Sequence, residues 1–158
     1  MLKTRIEGEI KAALKKGDPL RLSVFRMLAS AIHNKEIEKR TRSGEAREAA
    51  LTEEETISVV RAELKKRKDA SAAYQQGGRP DAAEREETEA AILSSLLPQE
   101  LSDSDLEQIV LAGKAATGAS AAKDFGKLMG WVMKETKGQA SGDRASAMVK
   151  KHLAPLET

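Results

Sequence analysis

The stretch Leu2-Lys3-Thr4-Arg5-Ile6-Glu7-Gly8-Glu9-Ile10-Lys11-Ala12-Ala13-Leu14-Lys15-Lys16-Gly17-Asp18-Pro19 carries the pattern that sets the fold class. Leu2, Ile6, Ile10 and Leu14 recur at helical spacing and predict the apolar stripe of a first helix. Gly17-Asp18-Pro19 ends that helix and starts the next. Glycine suits the left-handed residue past a helix end, Asp18 suits the N-cap, and Pro19 suits the first helical position.

The same punctuation continues down the chain. A second helix is predicted through Leu22, Phe25, Leu28, Ile32 and Ile37 to about Arg40, followed by a polar loop or frayed end over residues 41–50. Thr52-Glu53-Glu54-Glu55 has capping-box form and opens a long polar helix through Ile57, Val60 and Leu64 to Tyr74. Gly77-Gly78-Arg79-Pro80 stops it, and a fourth helix runs to about Leu96, closed by Pro98. Ser102 with Asp105 predicts a fifth start, carrying Leu106, Ile109 and Val110 to Gly118. Ser120 is the expected cap of a sixth helix bearing Phe125, Leu128, Met129, Val132 and Met133. Ser141 opens a last helix with Ala145, Met148, Val149 and Leu153. The reading is all-α and multihelical, about seven helices. An N-terminal long-helix domain is expected at residues 1–97 and a small C-terminal helical bundle at residues 98–158.

Composition agrees. The chain has 158 residues, 40% apolar and 33% charged, with only four aromatics. Alanine, leucine, glutamate, lysine and arginine favour helix, and few β-branched residues are present to build a sandwich or barrel. The absence of cysteine excludes disulfides, thiolate catalysis and cysteine-ligated zinc. No phosphate loop, nucleophile elbow or zinc-protease motif occurs. His33 and His152 have no neighbouring ligands at metal spacing. His33 is expected to be a partly buried structural histidine and His152 to be exposed. No catalytic residue, metal or cofactor is expected. No apolar run approaches the roughly 20 residues of a membrane span. Residues 1–16 mix acids and bases unlike a signal peptide, so a cytoplasmic location is expected.

Charge is unevenly spread. Residues 97–113 carry four acids and no base, whereas residues 114–151 carry eight bases against three acids, an excess of five. The densest basic run, Arg61 to Lys68, reads first as the wet face of a long helix and second as a phosphate footprint. The segment Lys123 to Lys137 is more telling. At 100° per residue, Lys123, Lys127, Gly130, Lys134 and Lys137 fall in a stripe about 80° wide, opposite Phe125, Leu128, Met129, Val132 and Met133. A mid-helix glycine costs roughly 1 kcal/mol relative to alanine, so Gly126 and Gly130 suggest that another backbone comes close. Helix packing suits Gly126 better and phosphate approach suits Gly130 better. Trp131, beside the stripe, reads as cover for the core edge.

Several segments are similar to a known family. Residues 127–140, Lys127-Leu128-Met129-Gly130-Trp131 through Gln139-Ala140, closely resemble the C-terminal tail of the GatB subunit of glutamine-dependent aspartyl/glutamyl-tRNA amidotransferase. The whole chain resembles the stand-alone GatB/YqeY family. Arg26-Met27-Leu28, Leu51-Thr52-Glu53-Glu54-Glu55, Lys65-Lys66-Arg67-Lys68-Asp69 and Gly78-Arg79 match, as do Leu97-Pro98-Gln99-Glu100-Leu101-Ser102 and Asp124-Phe125-Gly126-Lys127-Leu128-Met129-Gly130. Ser141-Gly142 departs from the Asn-Pro often found there. The resemblance implies an all-helical, two-part fold whose end corresponds to a tRNA-contacting tail, without the chemistry housed in the larger enzyme's other domains. It also implies an inherited label of carbon–nitrogen ligase activity with glutamine as amide donor. The function expected is non-catalytic binding of tRNA or another structured RNA. Lys123, Lys127, Gly130, Lys134, Lys137 and Gly138 are the binding residues, reading shape through phosphates because no aromatic platform for bases is evident. The alternatives are a helical adaptor for protein partners and an accessory factor of a tRNA amidotransferase.

Overall fold

The computed structural model describes residues 1–43 and 50–154 of the chain. Among them are seven α-helices: α1 (Leu2–Lys16), α2 (Pro19–Ser43), α3 (Glu53–Gln76), α4 (Pro80–Ser94), α5 (Asp103–Thr117), α6 (Phe125–Thr136) and α7 (Gly142–His152), with a 3-10 turn at Ala122–Asp124 before α6. The all-α expectation holds. Most of the polar stretch expected as a loop, residues 44–49, lies outside the described residues, and α2 continues past Arg40 to Ser43. The chain divides into two compact units, Met1–Leu97 and Pro98–Thr158.

The first unit is built from two helical hairpins. Gly17, at φ 66°, ends α1 with its N–H on the Ala13 and Leu14 carbonyls, and Asp18 Oδ1 accepts from Arg21 N at 3.0 Å. Helix α3 starts on a complete capping box: Glu55 N donates to Thr52 Oγ1 at 3.2 Å and Thr52 N donates to Glu55 Oε2 at 2.7 Å. Such caps are each worth about 1 kcal/mol because they satisfy amide groups that the first helical turn leaves unpaired. The core joins Leu2, Ile6, Phe25, Leu28, Ile32, Ile57, Val60, Leu64 and Leu93, with Phe25 and Val60 fully buried. Leu14 and Ile37, expected on the apolar stripes, stay 52% and 45% exposed. Ala13 takes the inward place near the end of α1, because a four-residue repeat drifts around a helix of 3.6 residues per turn.

The second unit closes on Leu106, Val110, Leu128, Val132, Ala140, Ala145 and Val149, from α5, α6, α7 and the turn before α7. Ser102 Oγ accepts from Asp105 N at 3.1 Å to start α5, and Ser141 Oγ accepts from Arg144 N at 3.3 Å to start α7. The expected cap at Ser120 is replaced. Asp124 Oδ2 accepts from the Ser120 and Ala121 amides at 3.0 and 3.1 Å, so the carboxylate reaches back over the 3-10 turn and α6 begins at Phe125. The end of α7 is tied to the same turn: Ala122 N donates to the Ala154 carbonyl and Ala154 N to the Ser120 carbonyl, each at 3.0 Å.

Candidate nucleic-acid interface

Helix α6 buries Leu128, Val132 and Thr136 and turns its other side to solvent. Lys127, Gly130 and Lys134 lie on that outer side, all exposed, and Gly126 is exposed with them. The proposed stripe is shorter as a helical stripe than the sequence implied. Lys123 sits in the 3-10 turn, and Lys137 ends α6 in left-handed backbone, φ 47°, so the 100° step does not carry to either. Both remain exposed, one at each end of the helix. Gly138 is buried at φ 78°, where it turns the chain and does not face solvent.

The two helical glycines are now separable from packing. A Cβ built on Gly126 or Gly130 would meet nothing within 4 Å. No helix of the second unit packs on Gly126, contrary to the expectation for it. The glycine that packing requires is Gly113 of α5, where a Cβ would stand 2.7 Å from Trp131 Cε3 and 2.8 Å from Leu128 Cδ1. Trp131 thus covers the core edge by lying on Gly113. Periodicity gave no signal for this contact, since Gly113 reads simply as a weak spot in an otherwise good helix.

Pairing sorts the unit's charges. Arg144 binds Asp103 at 2.6 Å, Glu100 at 3.0 Å and the Leu101 carbonyl at 2.9 Å, and the Asp103 contact pushes its guanidinium pKa up. Glu107 takes His152 Nε2 at 2.7 Å and Lys151 Nζ at 3.2 Å, and these two partners hold its carboxyl below its ordinary pKa. The histidine expectations are therefore reversed: His33 is exposed on α2, while His152 is half-buried against Glu107. Asp103 and Glu107 of α5 are spent on α7, Asp105 accepts from Ser102 Oγ, and Asp124 accepts from backbone amides. Lys123, Lys134 and Lys137 make no ion pair among the described residues. Lys127 Nζ donates to the Thr117 carbonyl at 2.7 Å, and Glu135 is exposed about 100° round the helix from Lys134.

The basic run of α3 is placed differently. Lys65 pairs with Asp69, Lys66 with Glu63 at 2.6 Å, and Arg67 with Glu86 and Glu89 of α4 at 3.4 and 3.5 Å. It serves as a wet, largely neutralised face and a hairpin seam. Among the described residues no cluster of histidine and carboxylate side chains could hold a metal ion, and no helix is long and apolar enough to cross a membrane.

No curated protein matches the chain. The family model described as Yqey-like protein matches residues 3–153, nearly the whole length, and with the helical fold just described the chain belongs to the Yqey-like protein family.

Proposed function

We propose that the second unit binds structured RNA, tRNA among the candidates, through the outer side of α6, without catalysis. The observation that carries this reading is the open side chain-free surface at Gly126 and Gly130 beside exposed Lys127 and Lys134, with Lys123 and Lys137 at the two ends. Glycine at these positions costs helix stability and contributes nothing to packing within the chain. A phosphodiester backbone approaching closely offsets that cost, and lysines that make no ion pair among the described residues supply the charge that phosphate binding needs. The contacts would be to phosphates and 2′-hydroxyls, which report RNA shape and little sequence.

The test is fluorescence anisotropy of labelled total tRNA across a salt series, for wild type and for Lys134→Ala/Lys137→Gly. Lys127 is spared because it also bonds Thr117. Four phosphate contacts predict a slope of log K against log salt of about −3 to −4, and the double variant flattens it by about 2. A wild-type slope near zero, or an unchanged variant, overturns the reading.

A second reading, a helical adaptor for a protein partner, is supported by a groove of about 670 Å³ between α2 and α3. Ala31, Leu51, Val59 and Ala62 line it under the Lys39–Glu55 and Lys66–Glu63 pairs. Partners that stay bound after nuclease treatment would favour it. A tRNA amidotransferase among them would support an accessory role.

A further inference from the structure

We infer that the cavity beside the start of α6, lined by Ala122, Phe125, Lys150, Leu153 and Ala154, receives one unstacked nucleotide of an RNA held on the adjoining lysine edge. This rests on the reading of α6 as an RNA surface and extends it from phosphate contacts to a base. The cavity measures about 390 Å³, within the usual range of small-ligand sites, roughly 300–1,000 Å³.

Its walls are fixed by bonds that have nothing to do with a ligand. The paired backbones of residues 120–122 and Ala154 hold one side, and Asp124 braces the 3-10 turn that leads into Phe125. Phe125 is half-buried, packed against the second core from behind, so its ring is held in place while part of it faces the cavity. Lys150 Nζ stands over that ring, 5.7 Å from its centroid, on an exposed side chain that makes no ion pair among the described residues. Among the described residues no acid lines the cavity, and Asp124, next to Phe125 in sequence, accepts from two backbone amides. Lys123 lies in the 3-10 turn whose Ala122 lines the cavity, while Lys127 lies about 200° round the helix from Phe125. The site therefore combines an aromatic surface, apolar walls and a cation, Lys150, at its rim. A ligand that is flat and apolar at one end and anionic at the other satisfies all three, and a base with its phosphate is that ligand. The base displaces the lysine from the ring face, and the freed ammonium turns to the phosphate.

The test compares two RNA duplexes, each with a three-nucleotide 3′ overhang, one with normal bases and one with abasic residues, so that the phosphate count is equal. Wild type should prefer the normal overhang by about five- to a hundredfold, the range of base–aromatic stacking. Phe125→Leu should lose that preference while binding the abasic duplex as wild type does, with Trp131 fluorescence reporting that the unit is folded. Lys150→Gln, which leaves the core untouched, should reduce the preference. Equal wild-type binding of the two duplexes, with a steep salt slope for both, overturns the nucleotide site and leaves the phosphate edge standing. A preference that survives in Phe125→Leu overturns it as well. Binding of neither duplex at low salt overturns both readings.

Discussion

Lys127 Nζ donates a 2.7 Å hydrogen bond to the Thr117 carbonyl, so a lysine of α6 closes the C-terminal end of α5. The last carbonyls of a helix have no partner within it, and a cation there also meets the negative end of the helix dipole. One side chain thus serves the fold and, in the proposed function, the RNA. Lys127→Ala should lower stability by about 1 kcal/mol. Urea unfolding followed by Trp131 would show a lower midpoint at unchanged slope. An unchanged midpoint would mean the bond contributes nothing in solution.

Lys137 offers the opposite case. It holds φ 47° at the end of α6, a conformation that costs an L-residue roughly 1 kcal/mol and glycine almost nothing. Lys137→Gly should raise the melting temperature while weakening RNA binding. A variant that is more stable and binds less tightly cannot owe its binding defect to unfolding.

The glycines of the second unit divide by what surrounds them. Both Gly126→Ala and Gly130→Ala enter open space; Gly130→Ala, in the interior of α6, should stabilise by about 0.5–1 kcal/mol, and Gly126→Ala, in its first turn, by less. Gly113→Ala drives a methyl into Trp131 and Leu128 and should destabilise by about 1–3 kcal/mol, with a shifted Trp131 emission. If RNA backbone approaches α6, the two stabilising substitutions should still weaken RNA binding. Unimpaired binding in both would leave the glycines unexplained by that approach.

Acid should loosen the second unit. The Ser120 and Ala121 amides hold the Asp124 carboxyl below its ordinary value, and His152 and then Lys151 do the same for Glu107. A carboxylate depressed by folding contributes stability that is fully present above its unfolded pKa, near 4, and disappears as pH falls through the lower folded value. The contribution from these two groups should be flat from about pH 7 to 5 and fall below about pH 4. Asp124→Ala should lower the melting temperature at neutral pH and shrink the acid-side drop, which thermal melts across that range would show.

Much of the architecture was legible in the residues because it is written locally. Gly17, the Thr52–Glu55 box, Ser102 and Ser141 end or start helices through contacts within a few residues, and spacing alone reveals them. The apolar faces of α5 and α6 follow from 3.6-residue periodicity in the same way. Other features needed partners distant in sequence. His152 is half-buried because Glu107, 45 residues earlier, lies across from it on α5. Gly113 is a packing glycine only because Trp131 comes to rest on it, and the turn that takes Lys123 off the α6 stripe is also tied to Ala154, far along the chain. What each segment becomes is readable from its own residues, since helix propensity, caps and periodicity act over one or two turns. Tertiary structure alone decided which charges are spent, which glycines are covered and which lysines face water, because those outcomes depend on the helix that packs opposite.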